Sequence, residues 1–187
     1  MQLFRSALPD VWIVQPTILR DRRGQFAELF NARTFAAQGI KVAFVQDNLS
    51  VSTEPGVVRG LHFQVPPAAQ AKLVRVARGA ALDVSLDIRR GSPTYGMHVA
   101  IELSAENGRQ VFIPAGFAHG FATLEANTEV IYKVSDFYSP AHEFGLLWND
   151  PDLGIAWPLR RAEAVLSERD ERLPRLRDWE SPFRYEG

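Results

Sequence analysis

The chain has 187 residues, 46% of them hydrophobic and 23% charged, enough for one domain with a substantial core and ordinary for a soluble globular protein. Its 21 Lys and Arg against 22 Asp and Glu leave a net charge of -1, so nothing electrostatic favours nucleic acid or a membrane surface as a partner. No cysteine is present, which excludes disulfides, thiol catalysis and Cys-ligated zinc and fits a reducing compartment.

Residues 1–10 hold no basic stretch followed by an apolar one, and no apolar run reaches membrane-spanning length, so a cytoplasmic protein is expected. A first strand is predicted at 13–17. Asn31 can cap a short helix over 32–38, with Gly39 as its stop. Strands follow at 42–48 and through the strand-like run 59–64 (RGLHFQ). In 72–78, Val74 and Val76 alternate with Arg75. In 81–88, Leu82, Val84, Leu86 and Ile88 share one face and Asp83, Ser85 and Asp87 the other. Further strands are predicted at 97–103, 110–113, 120–124 and 129–134. Ser167 followed by Asp170 resembles a capping box for a short turn, and the tail with Pro174 and Pro182 reads as irregular or helical cover. The 13 Gly and 12 Pro are scattered, with no repeat or linker. So many strands without intervening helices predict an all-β fold, a jelly-roll barrel with an internal pocket and a few short peripheral helices, built as a single domain over 1–187.

The chain has four His. Two of them fall in Gly-punctuated, otherwise apolar segments, His62 in 59–64 and His119 in 113–121 (IPAGFAHGF). Alternation sets His62 on the face opposite Leu61 and Phe63, shared with Gly60 and Gln64. A strand histidine is as readily a hydrogen-bonded core residue as a base, but imidazole titrates near neutral pH and suits general-base work. Metal-binding barrels of this kind use two His one residue apart plus a carboxylate. Gln64 stands where the second His is needed, so no metal is expected.

Lys72 opens an apolar strand. It is either a solvated strand end or an ammonium beside an oxyanion. Tyr132 shares a face with Val130 and Val134, as a half-buried aromatic or as a phenolic acid opposite His62. Asp170 either caps a turn or orients the imidazole. Arg22, Arg23, Arg59 and Arg169 are solvated cations or anion holders, since the planar guanidinium donates parallel hydrogen bonds to phosphate. Gln46, Asp47 and Asn48 end an apolar run, where they form a turn or read a base or ribose. No P-loop, GxGxxG after a strand, Gly-x-Ser-x-Gly elbow or His-Glu-x-x-His helix is present, which leaves nicotinamide and serine-nucleophile chemistry without support.

Taken in order, the segments DRRG (21–24), FVQDN (44–48), RGLHFQ (59–64), QAKLVR (70–75), DIR (87–89), LSAEN (103–107), IPAGFAHGF (113–121), YSP (138–140) and WNDP (148–151) resemble the dTDP-4-dehydrorhamnose 3,5-epimerase family. The resemblance covers residues 9–174 and implies a cupin jelly roll without metal or redox cofactor. It further implies a homodimer that exchanges strands and a dTDP-4-keto-6-deoxy sugar as substrate. By position it makes His62 the base, Asp170 its partner, Tyr132 the proton donor on the other face of the sugar and Lys72 the group beside the C4 oxygen. His119 becomes a substrate contact. Arg23, Glu28, Gln46, Asn48 and Arg59 match positions that hold nucleoside and diphosphate, and Glu143 and Arg169 match further contacts. Family members often carry an aromatic directly after the Arg-Gly pair, where this chain has Gln25 followed by Phe26.

Overall fold

A computed structural model describes residues 1–186. In chain order the elements are β1 (Gln2–Arg5), β2 (Trp12–Gln15), β3 (Ile18–Asp21), β4 (Gly24–Ala27), α1 (Ala32–Ala37), β5 (Gln46–Ser52), β6 (Val58–Gln64), β7 (Lys72–Arg78), β8 (Ala80–Asp87), β9 (His98–Ser104), β10 (Gln110–Ile113), β11 (Phe117–Thr123), β12 (Thr128–Val134) and β13 (Glu143–Gly145). They form a six-stranded sheet, β1-β2-β10-β7-β12-β5, a five-stranded sheet, β13-β6-β11-β8-β9, and a separate hairpin, β3-β4. Neighbours within the sheets are antiparallel, and the non-sequential strand order makes the jelly roll.

Three apolar clusters explain why the sheets stack. Val74, Val76, Val111 and Val130 of the six-stranded sheet meet Ala81, Leu103, Phe117 and Phe121 of the five-stranded one, closing the barrel interior at one end. Outside the six-stranded sheet, Phe35 of α1 fills a patch made by Trp12, Val14, Leu73 and Phe112. Outside the five-stranded sheet, Leu176 and Phe183 of the tail cover Leu61, Phe63, Val84 and Leu86. Each buried side chain of this size contributes about 1.5–3 kcal/mol relative to exposure.

Several strands differ in extent from the sequence reading, each for a physical reason. Residues 42–45 are not strand. Val42 and Phe44 pack beside α1, so their apolar character reflects docking rather than a ladder, and β5 begins at Gln46. Strand β11 starts at Phe117 rather than 120, and the hairpin β3-β4, with its exposed Leu19 and Phe26, lacks the alternation that marks a half-buried strand. The helix forms as expected. The Asn31 side chain accepts from the backbone N–H groups of Arg33 and Thr34, and Gly39 follows at φ +81°, where a side chain would be strained. On β8 the apolar row Val84, Leu86 and Ile88 faces the tail. Asp83, Ser85 and Asp87, on the other side of the strand, are buried all the same.

Candidate active site

Alternation along β6 does what the sequence implies. Leu61 and Phe63 enter the outer cluster, and His62 lines an internal cavity of about 860 Å³. This volume suits a ligand of nucleotide-sugar size. His62 Nε2 lies 2.7 Å from Asp170 Oδ1, and the other Asp170 oxygen accepts the Gly60 N–H at 3.4 Å. Burial alone would raise the Asp170 carboxyl. The His62 hydrogen bond and charge, the Gly60 N–H and the Arg169 guanidinium outweigh burial and hold it below the ordinary carboxylate range. Asp170 is therefore a buried carboxylate locked on one ring nitrogen, which leaves Nδ1 as the nitrogen for a substrate.

The capping motif seen in the sequence explains how Asp170 arrives there. Ser167 Oγ accepts the Asp170 backbone N–H at 3.1 Å, starting the one-turn helix Asp170–Arg172. The carboxylate, instead of returning to the cap, reaches the imidazole.

A second pair stands beside the first. His119 of β11 is in register with His62, and its Nε2 lies 2.7 Å from Asp83 Oδ2 on β8. Both residues are buried, and burial pushes the His119 imidazolium down against the pull of Asp83, favouring the neutral ring. Asp83 is the residue that sequence reasoning missed. Its signal was an acid in the polar row of an otherwise apolar strand. Close strand approach is built in, because a Cβ at Gly120 would lie 2.7 Å from the Arg59 carbonyl oxygen.

The six-stranded sheet supplies the opposite wall. Lys72 on β7 is 8% exposed and donates to the His62 carbonyl at 3.2 Å. Burial lowers its ammonium pKa to about 8, with Asp83 and Glu143 opposing that loss. Tyr132 on β12 lies between Val74 and Asn48 in register and lines the same cavity. Burial raises the phenol, against the Arg59 charge, so it carries its proton at neutral pH.

Polar groups ring the cavity's mouth. Arg169 Nη1 meets Glu143 Oε2 at 2.5 Å, and the Tyr138 hydroxyl donates to the same oxygen at 2.8 Å. Burial would raise Glu143, but the Arg169 and Tyr138 bonds keep it lowered and ionised. Arg59, Gln46 and Asn48 complete the ring, with Gln46 Nε2 donating to Asn48 Oδ1 at 2.9 Å. Tyr138, 53% exposed, is a further lining residue to which the sequence reading gave no role of its own.

Three expected contacts lie elsewhere in this chain. Asp47, between Gln46 and Asn48 on a strand, must face the other way, and its carboxylate holds Lys133 Nζ at 2.8 Å. Arg23 sits on the exposed β3-β4 hairpin, paired with Asp21, and Glu28 accepts from Asn31 Nδ2 at 3.0 Å. None of the three lines the cavity. Among the described residues no group of three or more His, Asp or Glu is placed to hold a metal ion. The Gln64 amide, at the position where a second His would sit, is bonded to backbone groups of 68, 137 and 139.

A family model described as dTDP-4-dehydrorhamnose 3,5-epimerase matches residues 5–178. The chain belongs to the dTDP-4-dehydrorhamnose 3,5-epimerase family. A relative of that name from Pseudomonas aeruginosa is 52% identical over 171 residues, covering 91% of this chain and 93% of its own. The structure of the Legionella pneumophila epimerase in complex with dTDP-4-keto-L-rhamnose superimposes with a TM-score of 0.94. It is 42% identical and covers 100% of this chain and 99% of its own. A 3'-monoepimerase from Streptomyces bikiniensis in complex with dTDP-quinovose also superimposes, with a TM-score of 0.86, 38% identity and coverage of 92% and 87%. Family membership accounts for the all-β cupin barrel and makes the protein an epimerase.

Proposed function

We infer that the protein epimerises C3 and C5 of dTDP-4-dehydro-6-deoxy-D-glucose to give dTDP-4-dehydro-L-rhamnose. One observation carries the reading. His62 on one sheet, paired with Asp170 of the one-turn helix, and a protonated phenol on the facing sheet line a single cavity, along with a buried ammonium. Inverting a carbon acidified by a neighbouring ketone requires a base on one face of the ring and an acid on the other. A proton returned to the face it left restores the starting configuration.

In this scheme neutral His62 takes the C3 or C5 proton onto Nδ1, and the C–H pair flows toward the C4 carbonyl to form an enolate. Asp170 stabilises the imidazolium through Nε2–H. Lys72 faces the negative charge growing on the C4 oxygen, where a preorganised donor contributes several kcal/mol. Tyr132 then gives its proton to the opposite face, and solvent restores both groups. Neutral His119, held by Asp83, contacts the sugar. Arg59, Arg169, Gln46 and Asn48 hold the diphosphate and nucleoside, with the exposed Tyr138 side chain offered to the base for stacking. The protein's own groups supply every proton in this sequence, and no cofactor is invoked.

Arg23 and Glu28 enter this reading through a homodimer. The hairpin that carries Arg23 projects Phe26, 69% exposed, and Leu19, 61% exposed, while edge strand β5 presents Leu49 and Val51, with Val45 exposed just before it. Such apolar surfaces on one monomer suit a second copy. Exchanging the hairpin would bring Arg23 and Glu28 to the neighbouring cavity. The whole chain, 1–187, is taken as one cytoplasmic domain. Among the described residues no helix is long and apolar enough to cross a membrane.

Incubation with the 4-keto sugar nucleotide in deuterated water tests the reading. Deuterium at both C3 and C5 is expected, and entry at one carbon only would identify a single-carbon epimerase. His62→Ala should lose about 10²-fold or more in turnover. Wild-type deuterium uptake by that variant at both carbons would refute the assignment.

A further inference from the structure

The loop 136–139 at the cavity mouth carries Tyr138, and three glutamine side chains hold its backbone. Gln70 Nε2 donates to the Asp136 carbonyl at 2.8 Å. Gln64 Nε2 donates to the Phe137 carbonyl at 3.1 Å, and its Oε1 accepts the Ser139 N–H at 2.8 Å. Gln46 Oε1 accepts the Tyr138 N–H at 3.0 Å. Four successive residues thus have a backbone group fixed by an amide side chain rather than by a sheet partner. Of the three, Gln64 is the most buried, at 4% exposure. It also ties the loop to 65–68 through a 2.7 Å bond to the Ala68 carbonyl. It stands two residues beyond His62 on the same strand, so one rigid element carries both the base and the anchor of the mouth.

We propose that Gln64 is a positioning residue that fixes Tyr138 for the nucleotide end of the substrate, acting through the 136–139 backbone rather than on the sugar. The proposal rests on the epimerase reading above. An amide is required because the loop offers the Phe137 carbonyl and the Ser139 N–H, one on each side of Tyr138, and only a group with both donor and acceptor satisfies them together. Methionine matches glutamine in length and volume and supplies neither. Its introduction would leave part-buried backbone groups unpaired and free the loop to sample orientations in which the Tyr138 ring no longer faces the base.

Gln64→Met tests this by separating binding from turnover. The expected result is a rise of about tenfold in KM and in the dissociation constant of dTDP alone, measured by calorimetry, with kcat within about threefold of wild type. In a Tyr138→Ala background the same substitution should weaken dTDP binding by less than about twofold, because its effect runs through that ring. Unchanged dTDP binding in Gln64→Met, a loss confined to kcat, or full additivity with Tyr138→Ala would each overturn the proposal. Should Gln64→Met fail to fold, Gln70→Met, which frees the Asp136 carbonyl from the other side, is held to the same three outcomes. A wild-type protein that neither binds dTDP nor exchanges substrate hydrogens would instead refute the epimerase reading, and that result is visible before any variant is made.

Discussion

The charge on Lys72 should set the alkaline limit of this enzyme. Its ammonium is buried, and desolvation lowers its pKa from 10.5 to about 8 even with Asp83 and Glu143 nearby. Tyr132 is raised rather than lowered, so it does not compete for that limb. At pH 7 about nine-tenths of Lys72 is charged and at pH 9 only about one-tenth, so kcat/KM, which reports the free enzyme, should fall about tenfold across that interval. Lys72→Met should abolish the limb and reduce kcat/KM by about 10²–10³, the range for losing one oxyanion donor. Stability should move the other way. The folded chain binds this proton less tightly than the unfolded chain, so the full cost of the buried charge is present below pH 8. It is relieved as pH rises from about 8 toward 10.5. The gap corresponds to ~3 kcal/mol, and Lys72→Met at pH 7 should recover up to that amount, because Asp83 keeps His119 and Glu143 keeps Arg169. Deuterium wash-in followed from pH 6 to 10, with urea unfolding of both proteins at pH 7, checks both parts. A kcat/KM that stays level to pH 10, or a variant less stable than wild type, would show that the ammonium is not held against its solvation as described.

Three other changes have distinct signatures. Tyr132→Phe should still remove substrate protons but return them to the same face, so NMR would show deuterium entering unreacted substrate while product formation drops about 10²-fold or more. Asp170→Asn keeps a hydrogen-bonding group at Nε2 but removes the carboxylate that stabilises the imidazolium. A loss in kcat of about 10²–10⁴ with KM little changed is expected from steady-state kinetics. Gly120→Ala puts a methyl 2.7 Å from the Arg59 carbonyl oxygen and 3.2 Å from the Gly60 Cα, and should cost about 3 kcal/mol by forcing β6 and β11 apart. Calorimetry would register a drop in Tm of roughly 6–12 °C.

The barrel was legible wherever a strand is half-buried, because period-2 alternation is then printed in the residues, as in Leu61, Phe63 and Val74, Val76. It was illegible where burial comes from another source. Val42 and Phe44 are apolar because α1 docks on them, and the β3-β4 hairpin has no buried face within its own chain. In the site, alternation set His62 opposite Leu61 and Phe63 and grouped Tyr132 with Val130 and Val134, while Lys72 stayed either a solvated strand end or an inward ammonium. Asp170 could not, since a cap and an imidazole partner ask for the same residue type, and only the fold brings 170 to 62. Asp83 was hidden for a related reason. An acidic row on a strand normally faces water, whereas here it faces a polar interior. Asp47 shows the converse, for the run of three polar residues grouped it with Gln46 and Asn48 while strand geometry sends it outward to Lys133.

Strand β6 interleaves two messages. Its odd-numbered residues Leu61 and Phe63 join the apolar cluster under the C-terminal tail, and its even-numbered His62 and Gln64 turn toward the chamber and the loop at its mouth. Selection can therefore repack the tail, or exchange it for another covering segment, without disturbing the row that carries the base and the anchor of the loop. A single inserted or deleted residue within the strand would transpose the two scripts at once, sending imidazole into the grease and a phenyl ring into the chamber. Such a lineage would drift by substitution and tolerate no change of length at this one place.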